Sequence, residues 1–131
     1  MKKIKGCVSS MKNMKIAKIF AFLGLIAMIA VIINGFLNGN FIQDGADLIA
    51  NPWGIVSLVD LYVGFTLFSL WIIFREKSPF ISIIWIIFMM VLGFFTASLY
   101  LIIALHQSKG DWLSLFLGAR KSDILNKEKL N

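Results

Sequence analysis

Three long apolar runs, broken by a single acid, take up most of this 131-residue chain, and they restrict it to a narrow set of folds. The first reaches from Ile16 to Leu37, with its purest part at Ile19–Ile33. The second is Pro52–Phe74 and the third Pro79–Leu105. About 20 apolar residues in a helix span the hydrocarbon of a bilayer. In oil a peptide group has no water to bond to, so a crossing segment must satisfy itself by coiling. These runs therefore predict an all-α integral membrane protein, with three transmembrane helices in an antiparallel bundle.

Composition agrees. Hydrophobic residues make up 59% of the chain and charged residues only 15%, against about a quarter charged in an ordinary soluble domain. The charges fall in short blocks between the runs. Net charge is +6, but no basic-aromatic surface accompanies it, so a nucleic-acid partner is not expected. Six lysines (Lys2, Lys3, Lys5, Lys12, Lys15 and Lys18) precede the pure stretch that begins at Ile19, as the positive-inside rule requires of a cytoplasmic leader. They also suit anionic lipid headgroups. The single cysteine, Cys7, excludes an internal disulfide. It follows Gly6 as a lipoprotein cysteine would, yet no apolar stretch precedes it, so it reads as an inert thiol. No A-x-A site follows the first run, which reads as a retained anchor and not as a cleaved signal.

A single membrane domain results. Residues 1–15 form a basic leader and 16–37 the first helix. Residues 38–51 form an external connection rich in Gly and Asn, carrying Asp44 and Asp47 without Lys or Arg. Residues 52–74 form the second helix, opened by Pro52 at a first-turn position. The inner turn is 75–78 (Arg75-Glu76-Lys77-Ser78), and 79–105 is the third helix, which ends before His106. The stretch 111–119, with Trp112 and Phe116, is too short to cross and reads as an interfacial helix; 122–131 is a polar tail. Trp53, Trp112, Arg75 and Lys77 are the expected interface anchors. With the N-terminus in the cytoplasm, eight Lys and Arg fall inside and five outside. A basic tail on the outer side is a tension within this arrangement. The Lys, Ile, Asn and Phe bias suggests an AT-rich genome, hence a bacterial cytoplasmic membrane.

Asn51-Pro52-Trp53, Leu58-Val59-Asp60-Leu61-Tyr62, Trp71 and Arg75-Glu76-Lys77-Ser78, continued by Ile84-Trp85-Ile86, Leu92-Gly93 and Thr96 through Tyr100-Leu101, form a pattern. It resembles a family of small membrane proteins of plants and bacteria, the domain of unknown function 1475. The resemblance covers Asn51 to Leu105; Pro79 stands where an aromatic residue often follows Lys-Ser. It implies a membrane fold and supplies no activity.

Asp60 lies eight residues past Pro52, about 12 Å along a helix. A charged acid at such a depth costs about 2.5–3.5 kcal/mol on insertion scales, so it must be paired, hydrated or protonated. Trp53, Ser57, Asp60, Gly64 and Trp71 lie on or near one stripe, and the small residues among them let another helix approach. Asp60 is therefore expected to face the bundle and to bond Thr96, Tyr100 or exposed backbone. The candidate polar cluster is Asp60, Ser57, Thr96 and Tyr100, acting either as a structural clamp or as a proton or cation site. His106 and Cys7 are too few to hold a metal or haem, and Asp44 and Asp47 lack the spacing of a calcium loop. No metal and no cofactor is expected. Ala17, Ala21, Gly24 and Ala27 mark a close-packing face of the first helix; Gly35-x-x-x-Gly39 falls in a turn.

No base is placed to activate any Ser, Thr or Tyr, so an enzyme is not expected. A structural or accessory membrane component remains, with the lipid bilayer, other membrane proteins or its own copies as partners. The alternative is an oligomeric ion, proton or small-solute transporter that uses Asp60.

Overall fold

The computed structural model describes the backbone of residues 2–130 and the side chains of residues 11–130. The side chains of Cys7, Lys2, Lys3 and Lys5 lie outside the described ones. Every regular element in the described chain is helical. Helix α1 runs over Lys2–Asn38, α2 over Phe41–Ala50, α3 over Pro52–Arg75, α4 over Pro79–Leu92 and α5 over Phe94–Gln107. A short α6, Trp112–Leu117, passes through a 3-10 turn at Gly118–Arg120 into α7, Lys121–Lys129. Two stretches, Met11–Asn38 and Pro52–Arg75, are long and apolar enough to cross a membrane.

Helix boundaries follow from local chemistry. Asn40 caps α2 by accepting from the Gln43 amide at 3.4 Å, while the Asp44 carboxylate accepts from the Asn40 amide at 2.9 Å. The expected loop between the first two runs thus holds ten residues of helix, organised by a reciprocal cap of the kind polar side chains provide. Asn51 ends α2 and caps α3, accepting from the Trp53 amide at 3.1 Å, with Pro52 in the first turn. Gly54 sits against the Leu48 carbonyl, where a β-carbon would approach to 2.0 Å. Only glycine permits that abutment of α2 on α3.

The third apolar run departs from the sequence expectation. It is not one helix but two of 14 residues each, and they fold back on one another. Trp85 and Tyr100, fifteen positions apart, have ring centroids 5.1 Å apart. The Thr96 hydroxyl donates to the Phe88 carbonyl at 3.0 Å. The reversal occurs at Gly93, whose φ of +61° and ψ of −138° lie near the region essentially reserved for glycine. A single glycine in an apolar run is compatible with a continuous helix, so periodicity gave no sign of the reversal.

The hairpin α4–α5 packs between the two long helices. Helix α1 runs antiparallel to α5: the Met14 sulfur meets the Ser108 hydroxyl at 3.9 Å, and Gly24 faces Ser98. Of the expected small-residue face, Ala21 is buried and Ala17 and Gly24 half-buried against this neighbour, whereas Ala27 is exposed. Helix α3 runs parallel to α5, with Phe65 against Phe94 at 5.0 Å and Arg75 reaching Gln107 at the far end. One core cluster joins α3, α4 and α5 through Phe65, Ile72, Met89, Ala97 and Tyr100. A second joins α1, α5 and α6 through Met14, Ala21, Ala104, Leu105 and Leu115. Both lie on one side of the hairpin tip, and α3 beyond Gly64 toward Pro52 is mostly exposed.

Candidate functional site

The densest polar chemistry among the described residues gathers where α3 ends. Arg75 is the last residue of α3 and only 4% exposed. Its Nε donates to the Leu115 carbonyl of α6 at 2.9 Å. Nη1 donates to the Glu76 carboxylate at 3.2 Å and to the Tyr100 hydroxyl at 3.1 Å; Nη2 donates to the Gln107 side chain at 3.4 Å. The Tyr100 hydroxyl in turn donates to Glu76 at 2.7 Å. A guanidinium has five N–H donors in a fixed fork, and this one is bonded to two other helices, α5 and α6, and to the turn after its own.

Several local causes produce the arrangement. Helix C-termini favour a cation, and Pro79 restarts the chain as α4 only three residues later, so Glu76 is held beside Arg75. The fold-back at Gly93 returns α5 to this end and delivers Tyr100 and Gln107. Tyr100 is walled by Phe68, Trp71 and Trp85, at centroid distances of 6.2, 5.8 and 5.1 Å. Gly118, at φ +51°, lies so close to Arg75 that a β-carbon would come within 2.3 Å of its Cγ. Beyond the cluster, Asp111 caps α6 and is bonded to Lys121 and, at 2.5 Å, to Ser114. The Lys121 ammonium, with help from Ser114, pulls the Asp111 carboxyl down to about 2. The exposed pair Lys77–Asp123 ties the turn to α7 at 2.9 Å, and Lys77 holds the Asp123 carboxyl below its usual range.

Chemically, the cluster is bonded largely within itself, with four of the five Arg75 N–H donors engaged. Its one cation faces one carboxylate, and each hydroxyl or carbonyl oxygen in it already accepts or donates. No three His, Cys, Asp or Glu side chains converge among the described residues. The arrangement fastens four chain segments.

The four residues expected to form a cluster are not brought together. Asp60 is exposed on α3 and has no hydrogen-bond partner among the described residues. The expectation that it faces the bundle is corrected for a simple reason: the hairpin tip at Gly93 reaches only the level of Gly64 and Phe65, below Asp60. Ser57 donates to the Trp53 carbonyl of its own helix at 3.0 Å. Thr96 serves the Phe88 carbonyl, and Tyr100 serves Arg75 and Glu76. Of the anchors, Trp53 is 78% exposed and Lys77 lies at the surface. Trp112 is half-buried and stacked on Phe116 at 6.1 Å. Arg75 is corrected from a surface anchor to a buried one. His106 is exposed. Glu76 and Gln107 carry the centre, and sequence reasoning missed both, because only the fold-back makes them neighbours.

A family model described as a protein of unknown function (DUF1475) matches residues 6–117, wider than the Asn51–Leu105 stretch that carries the sequence resemblance. No curated protein and no solved structure matches the chain.

Proposed function

The chain belongs to the DUF1475 family of proteins of unknown function, and from that premise we propose that it is an integral membrane protein with two crossings and a re-entrant helical hairpin. In this reading α1 and α3 cross, while α4 and α5 enter from the basic side, turn at Gly93 and return. The protein serves as a structural or accessory component that binds lipids or other membrane proteins, with no catalysis of its own.

The fold-back at Gly93 carries the reading. Fourteen residues rise about 21 Å as a helix, short of the roughly 30 Å of hydrocarbon, so neither arm crosses alone. Because the hairpin returns, Lys109, Arg120, Lys121, Lys127 and Lys129 join the leader, Arg75 and Lys77 on one side. All thirteen Lys and Arg of the sequence then lie on the inner face, and none accompanies Asp44 and Asp47 outside. That removes the outer basic tail of a three-crossing arrangement and obeys the positive-inside rule.

The tip is also built for oil. The Gly93 amide donates to the Met89 carbonyl at 2.8 Å, the Gly93 carbonyl accepts from the Thr96 amide at 3.1 Å, and the Thr96 hydroxyl covers the Phe88 carbonyl. Backbone that breaks a helix at membrane depth needs such internal partners. Around the molecule, Phe20, Val31, Leu67 and Val91 turn outward and are 71%, 66%, 63% and 76% exposed, a surface suited to lipid.

Single-cysteine labelling tests the topology. In a Cys7→Ser background, Gln43→Cys should react with an impermeant maleimide on intact cells, and Ser122→Cys should react only after lysis. Labelling of Ser122→Cys from outside would overturn the re-entrant reading. A second reading, transport, draws on one observation: Asp60 is exposed on an apolar helix without a partner among the described residues. Proteoliposome flux abolished by Asp60→Asn would favour it; silence of both forms favours the accessory role.

A further inference from the structure

Between α1 and α3, at the end where the cations collect, lies an open slot of about 320 Å³. Its wall on α1 is Ala17 and its wall on α3 is Phe68 and Trp71. Leu105 of α5 contributes to its lining, and Trp112 and Phe116 of α6 do so at the basic end. Every lining side chain is apolar or aromatic. Residue 17 contributes only a methyl group to the wall, and the Arg75 bond to the Leu115 carbonyl ties α6 to the end of α3.

We propose that this slot holds an acyl chain of an anionic phospholipid whose phosphate lies among the basic residues of the same end; the inference rests on the membrane reading above. The volume matches the lower end of small-ligand sites, roughly 300 Å³, and the wholly apolar lining suits a hydrocarbon chain. Charge selects the headgroup. Lys12, Lys15 and Lys18 flank Ala17 along α1, Lys109 follows α5, and none of the four has a carboxylate partner among the described residues. Clustered lysines at a cytoplasmic membrane surface attract anionic lipid. A zwitterionic lipid would fill the slot equally well but gain nothing from them.

The experiment uses the full chain in vesicles, with Trp53→Phe removing the exposed tryptophan at the opposite end. Phosphatidylglycerol and phosphatidylcholine, each brominated on its acyl chains, are compared as quenchers of tryptophan emission at the same low mole fraction. The expected result is several-fold stronger quenching by the brominated phosphatidylglycerol. Ala17→Phe, which fills the slot, should bring the two lipids level while circular dichroism stays unchanged. Lys15→Gln with Lys18→Gln, both away from the core, should reduce the preference without altering packing. Equal quenching by the two lipids in the parent protein would overturn the proposal, as would a preference that survives Ala17→Phe. Failure of the chain to float with vesicles, with no quenching by either lipid, would instead sink the membrane reading itself.

Discussion

Arg75 carries a full charge in surroundings almost closed to solvent, and what surrounds it explains how the fold tolerates that. Glu76 supplies the opposite charge, Tyr100 and Gln107 supply oxygens, and the Leu115 carbonyl accepts from Nε. Removing one partner of a buried ion pair typically costs about 3–5 kcal/mol, because the other charge is left uncompensated. Glu76 keeps partial contact with solvent, so Arg75→Met should lower stability by less than that, about 1–3 kcal/mol, in detergent thermal unfolding. Adding Glu76→Gln should recover part of the loss, since no charge is then stranded; a double variant as unstable as the single one would contradict this account. Asp60 is the opposite case, an acid with no partner among the described residues. Its sequence position announced that something must be explained, yet its neighbours depended on how far the hairpin reaches.

Elements here are positioned by their ends. Gly93 turns the third apolar run back on itself with a backbone conformation that costs other residues of order 1–3 kcal/mol. A β-carbon there would also come within 3.0 Å of the Phe65 ring. Gly93→Ala should thus destabilise by at least about 1 kcal/mol, and a thermal midpoint equal to the parent's would refute the constraint. At the other end of the hairpin, α6 depends on the Asp111 cap and its bond to Lys121. The Asp111 carboxyl titrates near 2 in the folded chain, below its ordinary 3.8, so the link contributes fully above 3.8. It should be lost progressively as pH falls from there toward 2. Trp112 emission should change across that window in the parent and lack this component in Asp111→Asn. Gly93 was visible in the sequence only as an interruption midway through 27 apolar residues.

At the scale of the molecule, the outward-facing apolar surface leads to a direct expectation. Contiguous exposed apolar area on this scale associates in water, so the purified chain should need an amphiphile to remain monodisperse; a monodisperse sample in plain buffer would remove the basis of the membrane reading. The sequence by itself determined that the chain is helical, where its apolar runs and charge blocks lie, and that Pro52 and Pro79 open helices, because hydropathy, charge and capping act within a few residues. It also registered a conflict, a basic tail that a third crossing would leave outside. Under the proposed re-entrant arrangement, the tertiary structure removes that conflict. A reversal at Gly93 costs little locally in glycine, and whether it occurs depends on packing of α4 and α5 against α1 and α3. The same long-range packing makes neighbours of Arg75, Tyr100, Gln107 and Leu115. Contacts across 25 to 40 positions leave no periodic trace in a sequence, since nothing local sets their register.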